Sequence, residues 1–318
     1  MIRDFGTSSD GHEVREVTLE GRGLRVKLLT LGAALRSLRL EGVGHDLTQG
    51  IGQIGDIDNG MGFHGVIVGP VANRINGGQA KVAGKICRFD TDREPGVTLH
   101  SGATGLHRQN WEIVEASEQS VLFRVDLPDG LGGFPGNRHV SACYTLSGPK
   151  TLRLDLTMIT DAPTLANLAH HGYWTLDGRH DLTGHRLRIA ASGITETDER
   201  LIPTGRILSV TDTAYDFRKM RLIDPGQPPL DTNFCLATAR RTMRDVLWLE
   251  GAGGVTMVLA TTEPGLQIYD QRPGYAALAI EPQFWPDAPN HPGFPPILLQ
   301  PGQDWRQSTE WRFDVPAL

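Results

Sequence analysis

Proton-carrying side chains, one glutamate and three histidines, stand in apolar surroundings of this sequence. Glu281 is predicted to end the strand formed by the apolar run "AALAI", and it precedes the proline-rich "PQFWPDAPNHPGFPP". His170 and His171 lie among Leu, Tyr and Trp in "LANLAHHGYWTLDG", and His100 follows "VTL" ahead of a glycine-rich bend. A buried carboxyl without a partner tends to have a raised pKa, which suits proton transfer. These residues are therefore candidates for general acid–base chemistry.

Four further polar residues interrupt apolar or turn segments in the same way. They are Asn73 and Arg74 after an apolar stretch, Asp231 just before an apolar strand and Gln267 inside one.

Each candidate also has a purely structural interpretation. An arginine can pair with a surface acid, an aspartate before a strand can form a turn, and a strand glutamine can bond to its neighbour. His100 can be a structural histidine, and Glu281 can be a surface residue that ends its strand. If His170 and His171 lie in one strand, they point to opposite faces, which predicts one in the core and one toward solvent.

Alternating polar and apolar residues recur along the chain, and these segments must supply the elements that position the candidates. Examples are "LRVKLL" (24–29), "SVLFRVDL" (120–127), "TLRLDLTM" (151–158), "HRLRIAA" (185–191) and "VTMVLATT" (255–262). A period of two is typical of strands that bury one face. With 38 Gly, 20 Pro and one short helical turn expected in "GQIGDIDNGM", the sequence predicts an all-β fold, a sandwich or barrel, as one domain over residues 1–318.

Motifs for several other chemistries are absent from the sequence. It contains no phosphate-binding loop, no Gly-x-Gly-x-x-Gly, no His-Glu-x-x-His and no Gly-x-Ser-x-Gly. We therefore expect no cofactor and no metal, although His180 and His185, which flank a turn, are weak candidate ligands.

Composition narrows the choice of partners and compartment. The net charge of −6 argues against a nucleic-acid partner, and no apolar run is long enough to span a membrane. The N-terminal "MIRDFGTSSDGHEVRE" lacks the apolar core of a signal peptide, and the three cysteines are scattered. Both features predict a cytoplasmic protein.

The chain resembles the aldose 1-epimerase (galactose mutarotase) family over nearly its whole length. The matching stretches, in family order, are "GPVANRI", "LHSGATGLHRQNWEI", "NLAHHGYWTL", "HRLRI" with "DERLIPTGRILSV" and "YDFRKM", "LDTNF", "LQIYD" and "IEPQFWPDAPNHPGFPPILLQPG". The last stretch is the most specific. The resemblance implies a single-domain β-supersandwich whose open cleft binds a monosaccharide without metal or cofactor.

By matching position, the resemblance also implies roles for the candidates. Glu281 corresponds to the general base, His171 to the general acid and His100 to a second histidine at the sugar; the spacing from Asn167 favours His171 over His170. The implied contacts to the ring and its hydroxyls are Asn73, Arg74, Asp231 and Gln267.

Interconversion of α- and β-anomers requires removal of a proton from the anomeric hydroxyl while the ring oxygen accepts one. One carboxylate and one imidazole suffice for these two transfers. A general base must start ionised, so Glu281 is expected not to be deeply buried.

Some positions depart from the family pattern. Pro70 stands where an arginine is usual, Ser101 replaces a glycine behind His100, and Thr232 replaces a common histidine. These departures leave the proton carriers in place but leave open the choice among galactose, glucose, arabinose and other aldoses.

Other functions also remain open at this stage. The same fold can serve a non-catalytic sugar-binding or regulatory protein, or an epimerase of phosphorylated hexoses, for which Arg272 is a candidate cation. A glycoside hydrolase would need Glu281 and Asp231 as its carboxyl pair. Phe284 and Trp285 either border the sugar or pack in the core.

Overall fold

β-Strands supply most of the regular structure in the described part of the chain, residues 1–91, 96–179, 181–272 and 274–315. The structure is a computed structural model. Its strands are β1 (Ile2–Thr7), β2 (Glu13–Gly21), β3 (Leu24–Leu29), β4 (Leu35–Leu40), β5 (Ile67–Val68), β6 (Arg74–Asn76), β7 (Gln79–Val82), β8 (Lys85–Arg88), β9 (Val97–Leu99), β10 (Glu112–Ala116), β11 (Ser120–Leu127), β12 (Arg138–Gly148), β13 (Thr151–Thr160), β14 (Thr164–Leu165), β15 (Ala169–His170), β16 (Gly172–Trp174), β17 (Arg186–Ile189), β18 (Gly193–Thr197), β19 (Pro203–Ser209), β20 (Arg221–Leu222), β21 (Asp231–Cys235), β22 (Arg244–Glu250), β23 (Thr256–Thr261), β24 (Gly265–Tyr269), β25 (Leu278–Gln283), β26 (Leu298–Leu299) and β27 (Trp305–Asp314).

Short helical turns cover Ile54–Asp56, Ile57–Met61, Gly102–Thr104, Leu106–Arg108, Leu131–Gly133 and Ala288–Asn290. The predicted all-β fold is therefore confirmed, as is the helical turn predicted within residues 52–61.

Two large antiparallel sheets and a smaller one organise the strands. The largest sheet has nine strands in the order β10-β11-β12-β13-β27-β23-β22-β17-β20, and the second has six in the order β16-β25-β24-β21-β18-β19. A third sheet joins β1 to β4 in sequence order. The remaining short strands pair two by two.

The main apolar core draws its side chains from almost the whole chain, from Val17 to Phe313. In β12 and β27, fully buried positions alternate with more exposed ones because successive side chains of a strand point to opposite faces. Burying a large apolar side chain such as Trp311, relative to leaving it exposed, stabilises the fold by about 1.5–3 kcal/mol. The single domain over residues 1–318 stays a prediction.

The six-stranded sheet carries apolar residues on one face and polar residues on the other. In β24, Leu266 and Ile268 belong to the main core, and Gln267 lies between them. In β25, Ile280 belongs to the same core and Glu281 follows it. Because Gln267 pairs with Glu281 across the sheet, the polar side chains of adjacent strands form one row on the face away from this core.

The prediction that Glu281 ends its strand is wrong. Strand β25 continues through Pro282 to Gln283, and Glu281 is an interior position. The sequence suggested an end because a proline lacks the N–H that a central strand needs. Here β16 pairs with β25 only as far as Ile280, so from Glu281 onward β24 is the only neighbouring strand in its sheet.

No helix within the described ranges has both the length and the apolar character needed to cross a bilayer.

Candidate active site

A cavity of about 190 Å³ lies against β16, β21, β24 and β25 of the six-stranded sheet. It is smaller than the roughly 300–1,000 Å³ of sites for drug-sized ligands, so it suits a small polar molecule. The residues around it are Phe63, Asn73, Arg74, Leu99, His100, His171, Tyr173, Asp231, Tyr269 and Glu281.

Six of the seven residues predicted from the sequence line this cavity, and the seventh is one contact away. Gln267 is buried beneath Asp231 and donates from Nε2 to Asp231 Oδ1 at 2.6 Å. Arg74 faces the other oxygen of the same carboxyl, with Nη1 3.9 Å from Oδ2. The structure therefore gathers all seven side chains into one cluster, although they come from distant parts of the chain.

Glu281 and His171 form the closest acid–imidazole pair in the cavity. Glu281 Oε1 lies 3.5 Å from His171 Nε2, and the two residues are only 2% and 5% exposed. His171 occupies the break between β15 and β16, where its N–H donates to Val66 and its carbonyl accepts from Gly65. The carboxyl comes from an interior strand position, so the backbone holds both groups.

Burial shifts the pKa values of this pair in opposite directions. Desolvation, reinforced by the charge of Asp231 and opposed by Arg74, raises the pKa of Glu281 well above its ordinary value of 4.5. Desolvation, with smaller contributions from neighbouring histidines, lowers the pKa of His171 to about 3. Burial therefore disfavours the ion pair and favours the neutral carboxyl together with the neutral imidazole, a state in which the pair holds one proton.

The expectation that Glu281 is not deeply buried is therefore wrong. Its position in β25 buries the carboxyl within the cavity wall, where Oε2 has no hydrogen-bond partner. A carboxyl–imidazole pair that shares one proton can still give a proton at one atom while it takes one at another.

His100 is held by a reciprocal contact with Asn73. The His100 N–H donates to the Asn73 carbonyl at 2.9 Å, and the Asn73 N–H donates to His100 Nδ1 at 3.1 Å. A main-chain N–H can only donate, so Nδ1 is an acceptor and the ring proton of a neutral His100 is on Nε2. His100 therefore serves as a hydrogen-bond donor.

Three buried residues, His100, His171 and Glu281, place potential metal-ligand atoms within 4.8 Å of one another. A metal ion needs a free lone pair on each imidazole. In His100 the Nδ1 lone pair already accepts the Asn73 N–H and Nε2 carries the proton. His171 and Glu281 alone fall short of the three protein ligands that catalytic zinc sites use, so this arrangement fits proton transfer better than metal binding.

Aromatic rings enclose the imidazole of His171. Phe63 stacks on one side, with ring centroids 5.6 Å apart and planes 15° apart, and Tyr173 stacks at 5.1 Å and 28°. His64 in turn stacks on Tyr173 at 4.1 Å. The stack fixes the ring plane of His171 and excludes water, which agrees with its lowered pKa.

The two adjacent histidines face different environments, but neither faces bulk solvent. His170 is 1% exposed and lies 5.0 Å from the Trp311 ring in the main core, whereas His171 lines the cavity. The prediction that one of them faces solvent is wrong because the segment 63–65 covers His171.

Other candidates from the sequence lie away from the cavity. Phe284 and Trp285 pack in a separate apolar cluster, and the Trp285 indole donates to the Pro264 carbonyl at 3.0 Å. His185 is fully buried and accepts the Leu176 N–H at 3.1 Å, and His180 lies outside the described residues.

Sequence reasoning missed the cavity residues Phe63, Leu99, Tyr173 and Tyr269. Leu99, Tyr173 and Tyr269 had a usable signal, since each lies within two residues of a predicted site residue, whereas Phe63 had none.

The charged groups around the cavity are largely paired with one another. Arg272, a candidate cation for a phosphorylated ligand, has its Nε 3.0 Å from Oδ1 of the buried Asp270. Arg74 faces Asp231. The cavity wall thus holds Arg74 beside the carboxyls of Asp231 and Glu281, which is not the unopposed positive surface that would attract an anionic ligand.

Known proteins of one family match this chain over nearly its whole length. A sequence profile of the family described as aldose 1-epimerase matches residues 15–312. The chain is 32% identical to galactose mutarotase of Mus musculus and 29% identical to aldose 1-epimerase of Escherichia coli K12. Each alignment covers 96% of this chain and 96% of the relative.

Solved structures show the same similarity. The GalM/aldose epimerase homologue from C. elegans superposes with a TM-score of 0.87 at 29% identity, covering 95% of this chain and 99% of that one. Galactose 1-epimerase from Lactobacillus acidophilus superposes with a TM-score of 0.87 at 23% identity, over 100% and 99% of the two chains, and supports the fold.

Proposed function

The chain belongs to the aldose 1-epimerase family and is an isomerase of sugar anomers, and we propose that Glu281 and His171 carry the proton transfers of this reaction. The observation that supports the proposal is the 3.5 Å approach of a buried carboxyl to a buried imidazole at a cavity of monosaccharide size. The comparisons do not favour a non-catalytic binding protein or an epimerase of phosphorylated hexoses.

The proposed reaction opens and closes the sugar ring. In the opening step Glu281, as general base, takes the proton of the anomeric hydroxyl while His171, as general acid, gives a proton to the ring oxygen. The C1–O5 bond breaks and an aldehyde forms at C1. After rotation about C1–C2, the same two groups return the protons and the ring closes with the opposite anomeric configuration.

Burial of Glu281 and His171 favours the protonation state that this cycle reaches after ring opening. Before opening, the proposed roles require ionised Glu281 and protonated His171; after opening, both groups are neutral. Burial favours the neutral pair, so the site stabilises the protonation state that accompanies the open-chain sugar. Because the pair holds one proton throughout, no proton need be exchanged with solvent during turnover.

The remaining cavity residues are proposed to hold the sugar. His100 donates from Nε2 to a sugar oxygen, and Asn73, Arg74 and Asp231 contact the hydroxyls. Gln267 acts through its 2.6 Å hydrogen bond to Asp231, whose orientation it fixes. Orientation of the substrate adds to the contribution of about 10²–10⁴-fold that each positioned acid or base makes.

We further propose that the substrate is a free aldose. A phosphate group near the cavity would meet the carboxyls of Asp231 and Glu281, and Arg272 already faces Asp270. The mouse relative is a galactose mutarotase by name, which supports a hexose such as galactose. A cytoplasmic location and the lack of a nucleic-acid partner remain part of the proposal, on the evidence of the scattered cysteines and the net charge of −6.

Polarimetry of freshly dissolved sugars tests the proposal. Wild-type protein should accelerate the relaxation of α-galactose or α-glucose toward equilibrium, and Glu281→Gln should lose the acceleration. Glucose 6-phosphate, followed by anomer-resolved NMR, should respond much less than glucose. Calorimetric sugar binding without any acceleration over a panel of aldoses would contradict the proposal.

A further inference from the structure

We propose that Ser101 is a positioning residue that fixes the imidazole of His100, an inference that rests on the proposed role of His100 at the sugar. Ser101 does not line the cavity and is 1% exposed. It is also a position at which the sequence departs from the family pattern of glycine.

The Ser101 hydroxyl bridges both main-chain groups of Val71. It accepts the Val71 N–H at 2.8 Å and donates to the Val71 carbonyl at 3.0 Å, and all of these atoms are buried. A single hydroxyl thus satisfies one donor and one acceptor that would otherwise be buried without partners. The bridge ties the turn at residues 100–102 to the segment 71–74.

The contacts between Asn73 and His100 lie directly beside this bridge. Two residues beyond Val71, Asn73 exchanges two hydrogen bonds with His100, one of them to the ring nitrogen Nδ1. The two pairs, Val71 with Ser101 and Asn73 with His100, therefore form four hydrogen bonds between the same two segments. The Asn73 contact determines which ring nitrogen carries the proton, and the Ser101 bridge keeps the segments in register.

The backbone of this turn is strained at residues 100 and 101. His100 and Ser101 have φ values of 50° and 69°, in the left-handed region that side chains other than Gly and Asn rarely adopt. Glycine at position 101 would relieve this strain but would leave the Val71 groups without the hydroxyl. A serine in a strained conformation is consistent with the hydroxyl having a specific use.

Thr160 supplies a matched control. Its hydroxyl makes the same kind of bridge, accepting the Ala162 N–H at 3.3 Å and donating to the Ala162 carbonyl at 2.7 Å. Thr160 is buried at the end of β13 and does not line the cavity. Loss of either hydroxyl removes two hydrogen bonds, but only the Ser101 bridge adjoins a candidate catalytic histidine.

The test compares Ser101→Ala, Ser101→Gly and Thr160→Ala in two measurements. The first is kcat and KM for anomerisation of α-galactose. The second is the tautomer of His100, read from long-range ¹H–¹⁵N NMR spectra of protein with ¹⁵N-labelled histidine. A His100→Gln sample assigns the signals.

We expect both Ser101 variants to fall about tenfold in kcat, and the His100 signals to shift from the Nε2–H tautomer toward a mixture. Thr160→Ala should keep both the wild-type kcat and the wild-type tautomer, even if it lowers the melting temperature as much as Ser101→Ala does. Ser101→Gly lacks the strained side chain, so it keeps the test valid if Ser101→Ala folds poorly.

Wild-type kcat and an unchanged tautomer in Ser101→Gly would overturn the proposal, because the hydroxyl would then be dispensable. Equal losses of activity in Ser101→Ala and Thr160→Ala would also overturn it, since they would indicate general destabilisation. If wild-type protein anomerises no aldose, the proposed function fails, while the NMR comparison still decides whether Ser101 controls the His100 tautomer.

Discussion

Replacing Glu281 with Gln should change how the stability of the protein depends on pH. The side chain is 2% exposed, and burial, followed by the charge of Asp231, raises its pKa well above the ordinary 4.5. Below pH 4.5 the carboxyl is protonated in both the folded and the unfolded chain, so pH has no effect through it. Above pH 4.5 the unfolded chain releases the proton while the folded chain keeps it, so stability falls as pH rises toward the folded-state pKa.

The size of this pH dependence of the unfolding free energy follows from the release of one proton. For one proton the slope is at most about 1.4 kcal/mol per pH unit, and it applies where the unfolded chain is ionised at Glu281 and the folded chain is not. Glu281→Gln lacks this slope, so its free energy of unfolding relative to wild type should rise with pH from pH 5 toward the folded-state pKa of Glu281. Histidines with pKa values lowered by burial, such as His171 at about 3, act in the opposite direction, but they are present in both proteins and cancel in the difference.

Urea denaturation at pH 5, 6 and 7 measures this difference directly. Glu118→Gln, at an exposed position, is the control for the loss of a carboxylate in general. If the unfolding free energies of wild type and Glu281→Gln stay parallel from pH 5 to pH 7, Glu281 ionises in the folded protein as it does in the unfolded chain. The resting pair would then not be the neutral pair that burial implies.

Two further changes separate electrostatic from structural roles. In Asp231→Asn, loss of the charge that helps to raise the pKa of Glu281 should move the high-pH limb of kcat/KM to lower pH and raise KM; an unmoved limb in the pH–rate profile would show that Asp231 does not act on Glu281. In Arg240→Met, the buried Glu263 loses a partner that it contacts at 2.6 and 3.0 Å, so the free energy of unfolding at pH 7 should fall by roughly 3–5 kcal/mol while kcat stays unchanged. A drop in kcat for Arg240→Met under folded conditions would contradict the separation of that ion pair from the site.

The sequence could reveal the proton carriers because they interrupt apolar strands. Glu281 follows a buried run and His171 lies among aromatic residues. The alternating segments predicted strands of the other two sheets, whereas the strands at the site were indicated by short apolar runs. Burial of these groups was harder to predict, since Pro282 suggested that the strand ended at the carboxylate. The structure shows instead that β25 continues with β24 as its neighbour, which buries Glu281 within the cavity wall.

Features that depend on side-chain contacts between distant segments could not be predicted from the sequence. Phe63 packs on His171 from a loop about one hundred residues away, and aromatic residues in an all-β chain are usually core. The tautomer of His100 depends on one main-chain N–H of Asn73, and the bridge from Ser101 to Val71 depends on the turn that folds them together.

The most direct test of the account is a double-mutant comparison of Glu281→Gln, His171→Asn and the combined variant, with anomerisation of α-galactose followed by polarimetry. Because the two groups share one proton and act on one sugar, each single variant should lose about 10²–10⁴-fold in kcat, and the combined variant should lose little more than the worse single variant. Losses that multiply in the combined variant, or a single variant with near wild-type kcat, would show that Glu281 and His171 do not act as one pair.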